Sequence, residues 1–384
     1  MRQATLEWGL SPVQTSTGAP TWVRRGLLTI TGALVLFGLL SVYSASSFAA
    51  QKAGLPDSFY LVGQLGRAAF GAIVLIALTF IDYDLYRRFA WPILAASAFL
   101  LVLVALPWTT DIAPPLNGAR RWLVIGPVTF QPSEVAKVAI VVWVAALADR
   151  KQDRLGSFRE GVLPFVIVLA PLLGLILIEP HLSATLIATC LAGTVLFAAG
   201  ARFRHFAMLL GCLVPILGIV IRTNPYQLRR VLAFLDPAGD ATGVGYQLEQ
   251  ARIAIGAGGA FGVGFGESSQ KLQYLPEPQN DFIFPIIAEE WGFLGAGLVL
   301  IAFLLWTLLG LRIAASAPDV FGRLLAIGLT GIVAIGAFLH MGITMGMLPT
   351  TGVSLPFVSA GGTGIVVALG VTGVLLNIAS KRRA

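Results

Sequence analysis

Charge is what this sequence lacks most. Asp, Glu, Lys and Arg make up 12% of its 384 residues, against the ~25% of a soluble domain. Hydrophobic residues reach 57%, and mean hydropathy is +0.84. So little polar surface cannot clothe a water-facing globule, and a soluble, disordered or coiled-coil chain is excluded. Cysteine is almost absent. Cys190 and Cys212 lie in apolar runs with no CxxC neighbour, which excludes a zinc ribbon, a thioredoxin-type site and a disulfide scaffold. His181, His205 and His340 are scattered without metal-ligand spacing. Residues 1–22 lack the basic start, apolar stretch and small-residue cleavage site of a removed signal peptide. The first apolar run is therefore expected to stay as an anchor.

Long apolar runs are abundant. A bilayer core requires about 20 apolar residues in helical form. Such runs lie near 26–47, 60–81, 89–106, 132–148, 162–178, 182–199, 205–221, 282–310, 321–345 and 357–380. Arg67 interrupts the second, and Glu134 and Lys137 the fourth. They predict an all-α, polytopic integral membrane protein with about ten transmembrane helices. Residues 1–22 form an N-terminal segment and 23–384 a single membrane domain. Runs this continuous exclude a transmembrane barrel.

Ten spans place both termini on one side, and cytoplasmic termini satisfy the positive-inside rule. The inner segments then hold 16 basic and seven acidic residues, and the rest of the chain ten and twelve. The net charge of +7 thus records membrane orientation and is no sign of nucleic-acid binding. Three outer segments are irregular: 107–132, 346–364, and the longest, 222–281, between helices seven and eight. Chemistry is expected there.

In Gln131-Pro132-Ser133-Glu134-Val135-Ala136-Lys137, Pro132 suits a first helical turn and Glu134 its positive end. Glu134 and Lys137, three apart, share a face and can pair. They read either as a self-neutralising interfacial pair or as the lining of a polar cavity. Arg121 and Trp122, just ahead, read either as interfacial anchors or as an anion site, since guanidinium groups bind phosphate oxygens bidentately. The glycine-rich run 256–266 is neither a Rossmann fingerprint nor a P-loop; it indicates a tight bend or a close approach. Asp281 lies where the long segment re-enters the membrane. Asn280 is a natural N-cap there, and an acid in the first turn is favoured by the helix dipole. The same position suits a general base or a cation ligand facing water. Glu289 and Glu290, two turns deeper, are candidates to face the bundle interior.

Taken together these segments resemble the SEDS family, the polytopic membrane proteins of RodA and FtsW type. Asn-Gly-Ala-Arg-Arg-Trp at 117–122 and Gln-Pro-Ser-Glu-Val-Ala-Lys at 131–137 match its outer loop and fourth helix. Tyr246-Gln247, Ala254-Ile255-Gly256 and the run through Ser268-Ser269-Gln270-Lys271 match its large loop. Leu-Pro-Glu at 275–277, Asp-Phe-Ile-Phe at 281–284 and Glu289-Glu290-Trp291-Gly292 match its eighth helix, and Leu348-Pro349-Thr350-Thr351-Gly352 its last outer loop. The resemblance implies a peptidoglycan glycosyltransferase that polymerises lipid II into glycan strands on the outer face of the bacterial cytoplasmic membrane, beside a class B penicillin-binding protein. It places the family's essential aspartate on Asp281 and its cavity residues on Arg121, Trp122, Glu134 and Lys137. A divalent cation, Mg or Mn, is a candidate cofactor, with Asp281 as its ligand. Two rival functions use the same residues: a lipid II flippase, and a non-catalytic scaffold for the penicillin-binding protein. Ser-Ser-Gln-Lys and Tyr-Leu-Pro-Glu-Pro at 268–278 lean towards the division branch, FtsW, over elongation. The chain departs from the family at Glu179-Pro180-His181, where His181 replaces an acid, at Gln279-Asn280 for His-Thr, at Ala360 for tyrosine, and at His340 for asparagine.

Overall fold

The computed structural model describes residues 18–381 apart from 107, 116–119, 127, 180, 237–238, 240–242 and 273. The segment 1–17, Asn117-Gly118-Ala119 of the outer motif, Pro180 and the basic pair Arg382-Arg383 lie outside the described residues. In chain order come α1 (Thr21–Lys52), α2 (Phe59–Phe80), a short α3 (Asp84–Arg88) and α4 (Ala90–Ala105). A hairpin follows, β1 (Leu123–Ile125) antiparallel to β2 (Val128–Phe130). Then come α5 (Pro132–Arg150), α6 (Leu163–Ile178), α7 (Leu182–Ala198) and α8 (Phe203–Thr223). The chain continues with α9 (Pro225–Leu235), α10 (Val244–Ala257), α11 (Ile283–Ala315), α12 (Val320–Thr344) and α13 (Gly362–Ser380).

Every apolar run of the sequence is a helix. Seven are long and apolar enough to cross a bilayer, α6 counting with the π-type turn Phe158–Val162 before it; α4 and α7 are shorter apolar helices. In α5, Glu134 and Lys137 dilute the apolar run, yet the helix holds because its middle is buried among neighbours. Two boundaries differ from expectation. The last helix begins only at Gly362, and 357–361 belongs to the loop before it. The segment 222–281 is not loop throughout, because α9 and α10 form within it.

Lipid tails are as apolar as leucine, so helix association rests on close packing and internal hydrogen bonds. A Cβ on Gly373 of α13 would come 2.4 Å from the Leu75 carbonyl of α2, and one on Gly328 of α12 2.4 Å from Val141 of α5. Trp306 of α11 donates its indole N–H to Thr31 of α1 at 2.9 Å. At one end of the bundle the Ala19 N–H donates to the Ala379 carbonyl at 3.2 Å, and Lys381 pairs with Asp82. Both ends of the described chain therefore meet on one side, as an even number of spans requires. The hairpin, α9, α10 and the turn to Asp281 occupy the other side.

α11 is two helices in line, broken at Gly292 (φ 68°, ψ −169°). A break inside a helix strands backbone groups that need other partners, and the glycine-rich run supplies them. Val263 and Gly264 N–H groups donate to the carbonyls of Glu289 and Glu290 at 3.0 and 3.1 Å. Phe293 and Leu294 N–H groups donate in turn to Gly259 and Ala260, at 2.8 and 3.2 Å. Only glycine allows this approach: a Cβ on Gly258 would lie 1.9 Å from the Ala288 carbonyl, and one on Gly262 2.1 Å from that of Glu290. Glu289 and Glu290 are buried, as expected, and they anchor the same loop. Glu289 accepts from Ser268, Ser269 and the Gln270 N–H. Glu290 pairs with Lys271 at 3.2 Å and accepts from Ser44 of α1.

Candidate functional site

On the loop side a cavity of about 340 Å³ opens between the hairpin, the starts of α5, α7 and α13, and α9. It reaches down to Ile332 and Val333 of α12. Arg121, Trp122, Glu134, Lys137 and Asp281 all line it. The five residues singled out from sequence, spread over 160 positions, share one concave site.

Each arrives there for a local reason. Pro132 opens α5 at its first position, where a missing N–H costs nothing. That sets Glu134 and Lys137 one turn in, paired at 2.8 Å. The two neighbouring arginines divide their work. Arg120 turns away to the Ala113 carbonyl and Thr109 hydroxyl, both at 3.0 Å, and pins the loop. Arg121 enters the cavity, its Nε donating to the Glu179 carbonyl at 3.1 Å.

Asp281 is held differently from a helix cap. α11 starts at Ile283 with no side-chain cap, so the capping expected of Asn280 does not occur. Asn280 instead donates to the Glu277 carboxylate at 2.7 Å. Glu277 occupies left-handed backbone (φ 49°), and its carbonyl accepts the N–H groups of Asn280 and Asp281 at 3.0 and 3.3 Å. The last outer loop clasps this turn: Ser359 donates to the Asn280 carbonyl at 2.8 Å, and Ala360 to that of Gln279 at 2.9 Å. Gly352 leaves room for the carboxylate, since a Cβ there would sit 3.3 Å from Asp281 Oδ2.

Burial and the nearby Glu277 charge push the half-buried Asp281 carboxyl up to about 6, against the downward pull of Arg230 and Arg121. Burial raises Glu179 to about 8 despite Arg121. His181 is driven down to about 3 by burial and then by Arg121, Lys137 and Arg230. At neutral pH the imidazole is therefore uncharged, near Gln131 and Ser133 at 3.4 and 3.3 Å. The site thus combines a carboxylate of raised basicity with three cations.

Tyr226 and Arg230 were not singled out from the sequence. Both come from α9, where Asn224 caps the helix by accepting the Tyr226 N–H at 3.0 Å. Arg230 lies over the Tyr226 ring, 4.5 Å from its centroid, and donates to the Thr350 carbonyl at 3.3 Å. The legible signal was Asn224-Pro225 followed by an aromatic and an arginine four apart, one face of a short capped helix.

Comparison with known proteins bears on this geometry. The FtsW/RodA/SpoVE family, described as "Cell cycle protein", matches residues 24–384. A probable peptidoglycan glycosyltransferase FtsW of Trichlorobacter lovleyi is 41% identical over 92% of this chain and 92% of its own. Stage V sporulation protein E of Bacillus subtilis is 38% identical over 93% and 97%. Among solved structures, one described as showing "structural coordination of polymerization and crosslinking by a peptidoglycan synthase complex" superposes with a TM-score of 0.77 at 29% identity, covering 93% of this chain and 98% of that one. The rod shape determining protein RodA of Thermus thermophilus gives 0.69 at 25% identity, over 94% and 97%. This chain belongs to the FtsW/RodA/SpoVE family of cell cycle proteins.

Proposed function

We propose that this protein is a peptidoglycan glycosyltransferase of the membrane, that it polymerises lipid II, and that Asp281 is its general base. One observation carries the reading: a carboxylate of raised basicity shares a cavity with Arg121, Lys137 and Arg230. Extending a glycan needs a sugar hydroxyl to attack an anomeric carbon. As the new C–O bond forms, the hydroxyl proton passes to Asp281. The anomeric bond to the pyrophosphate oxygen breaks, and its electron pair leaves with the pyrophosphate. Pyrophosphate is already a good leaving group, so the paired acids of glycoside hydrolysis are unnecessary. It needs positive charge, which the two guanidinium groups and Lys137 supply. Glu134 positions Lys137, and Trp122 shapes the cavity wall.

The residues around Asp281 do not suit a resident divalent cation. Among the described residues no group of three or more His, Cys, Asp or Glu converges as a metal site. Glu134 is engaged by Lys137 and Glu277 by Asn280, and the neighbours acting on Asp281 include Arg230 and Arg121. His181, neutral, stands where the family carries an acid. The proposed steps run through side chains of the chain alone.

The likeness to the synthase complex supports a penicillin-binding protein of class B as partner, and the FtsW relatives support the division branch. The charge asymmetry supports cytoplasmic termini and an outward-facing cavity. Purified protein, with and without that partner and with and without EDTA, should convert fluorescent lipid II into glycan ladders. Asp281→Ala, correctly folded, should yield none. Robust ladders from that variant would refute the assignment, and lipid translocation without ladders from the native protein would favour a flippase.

A further inference from the structure

The bundle holds a second cavity, at the opposite end from Asp281, about 740 Å³ in volume, between the π-type turn before α6 and the start of α8. Arg154, Arg202, Arg204 and His205 line it. The ion pairs among the described residues are Arg87–Asp149, Lys137–Glu134, Lys271–Glu290 and Lys381–Asp82. None of the three arginines takes part, although the exposed Asp153 and Glu160 stand at the same cavity. α8 starts here with no side chain capping its first turn, so free N–H groups and the positive end of a 21-residue helix face the same space. His205 is only 3% exposed, edge-on to Phe158, and both ring nitrogens lack a partner. A buried imidazole with two idle nitrogens is costly unless a ligand engages it.

The chemistry of the site is that of a phosphate receptor. Its setting selects the source. His205 is the one buried residue of α8; Met208 lines the cavity and is 46% exposed, and the 18-residue apolar window of the helix is unburied by the rest of the bundle, so α8 continues from the cavity as an apolar track. A free phosphate has no use for such a track, whereas acyl chains do. We propose that this cavity holds the phosphate of an anionic phospholipid, with the lipid's tails lying along α8. Basic pockets between helices at a membrane surface bind such head groups by charge and by N–H donation.

Full-length protein in phosphatidylcholine nanodiscs containing a minority of phosphatidylglycerol tests this, with retained lipids counted by native mass spectrometry after release. The expected result is about tenfold retention of phosphatidylglycerol over phosphatidylcholine, falling below about twofold in Arg202→Gln/Arg204→Gln. The matched double variant Arg24→Gln/Arg25→Gln, on the same side but away from the cavity, should keep the preference. His205→Phe, which preserves the ring contact with Phe158, should lower retention several-fold without moving the unfolding temperature. An equal loss in Arg24→Gln/Arg25→Gln would reduce the effect to general surface charge and overturn the site. No preference in the native protein would overturn it as well. Stabilisation by millimolar inorganic phosphate with no phosphatidylglycerol retained would overturn the lipid as its ligand.

Discussion

Asp281→Asn should abolish polymerisation and yet make the protein harder to unfold at neutral pH. The carboxyl, ordinarily near 3.8, is lifted to about 6 in the fold. Between those values the folded state keeps a proton that the unfolded chain has released, so stability falls as pH rises through this window and is flat above it. Each unit is worth 1.36 kcal/mol, giving an upper bound of about 3 kcal/mol at pH 7; water reaching the half-buried group reduces it. Asparagine keeps the shape and carries no charge, so that cost vanishes. Thermal unfolding of native and variant protein in the same detergent should show the variant melting higher at pH 7, with the gap closing towards pH 4. A variant that melts lower at pH 7 would mean that the carboxylate is a structural tie, like a helix cap, and the general-base argument would fail with it.

Further outcomes follow from neighbouring contacts. Because Glu277 raises the basicity of Asp281 and Arg230 lowers it, Glu277→Gln should move the acid limb of the polymerisation pH profile down and Arg230→Gln should move it up. Coincident profiles would show that neither side chain sets the proton affinity of Asp281. Lys271→Met strips the buried Glu290 of its ionic partner; unfolding measurements should register a loss of about 3–5 kcal/mol, and an unchanged melting temperature would count against the loop anchor. Gly292→Ala forces a side chain into left-handed backbone, with its Cβ 2.3 Å from Gly262 N. Beyond the steric overlap, about 1–3 kcal/mol of backbone strain should appear, seen as reduced yield of folded protein in detergent. Normal yield would mean that the break in α11 does not depend on glycine.

Where the sequence was readable, a strong local or solvent-imposed rule was acting. Hydrocarbon demands long apolar helices, so the helices that the apolar runs form, seven of them long enough to cross a bilayer, were visible in hydropathy alone. The pair Glu134–Lys137 was visible because three residues make nearly one turn, and Pro132 because a helix start tolerates a missing N–H. The glycine run announced a close approach but not its object. That object, the stranded carbonyls of Glu289 and Glu290, lies 26 positions beyond the Val263 and Gly264 N–H groups that reach it. Asn280 misled for a related reason: cap residues are common before helices, but here the turn around Glu277 uses its side chain first.

From composition and pattern alone came the polytopic membrane class, the succession of apolar helices and, through its motif order, the family resemblance. Tertiary structure alone decided that α9 swings Arg230 and Tyr226 over the cavity, that Arg121 enters while Arg120 does not, and that Arg230 and Arg121 sit close enough to Asp281 to oppose the rise in its proton affinity. Helix formation obeys neighbours within a turn and a uniform solvent, both written in the order of residues. Electrostatic tuning depends on distances of a few ångströms between residues dozens of positions apart, and only packing sets those.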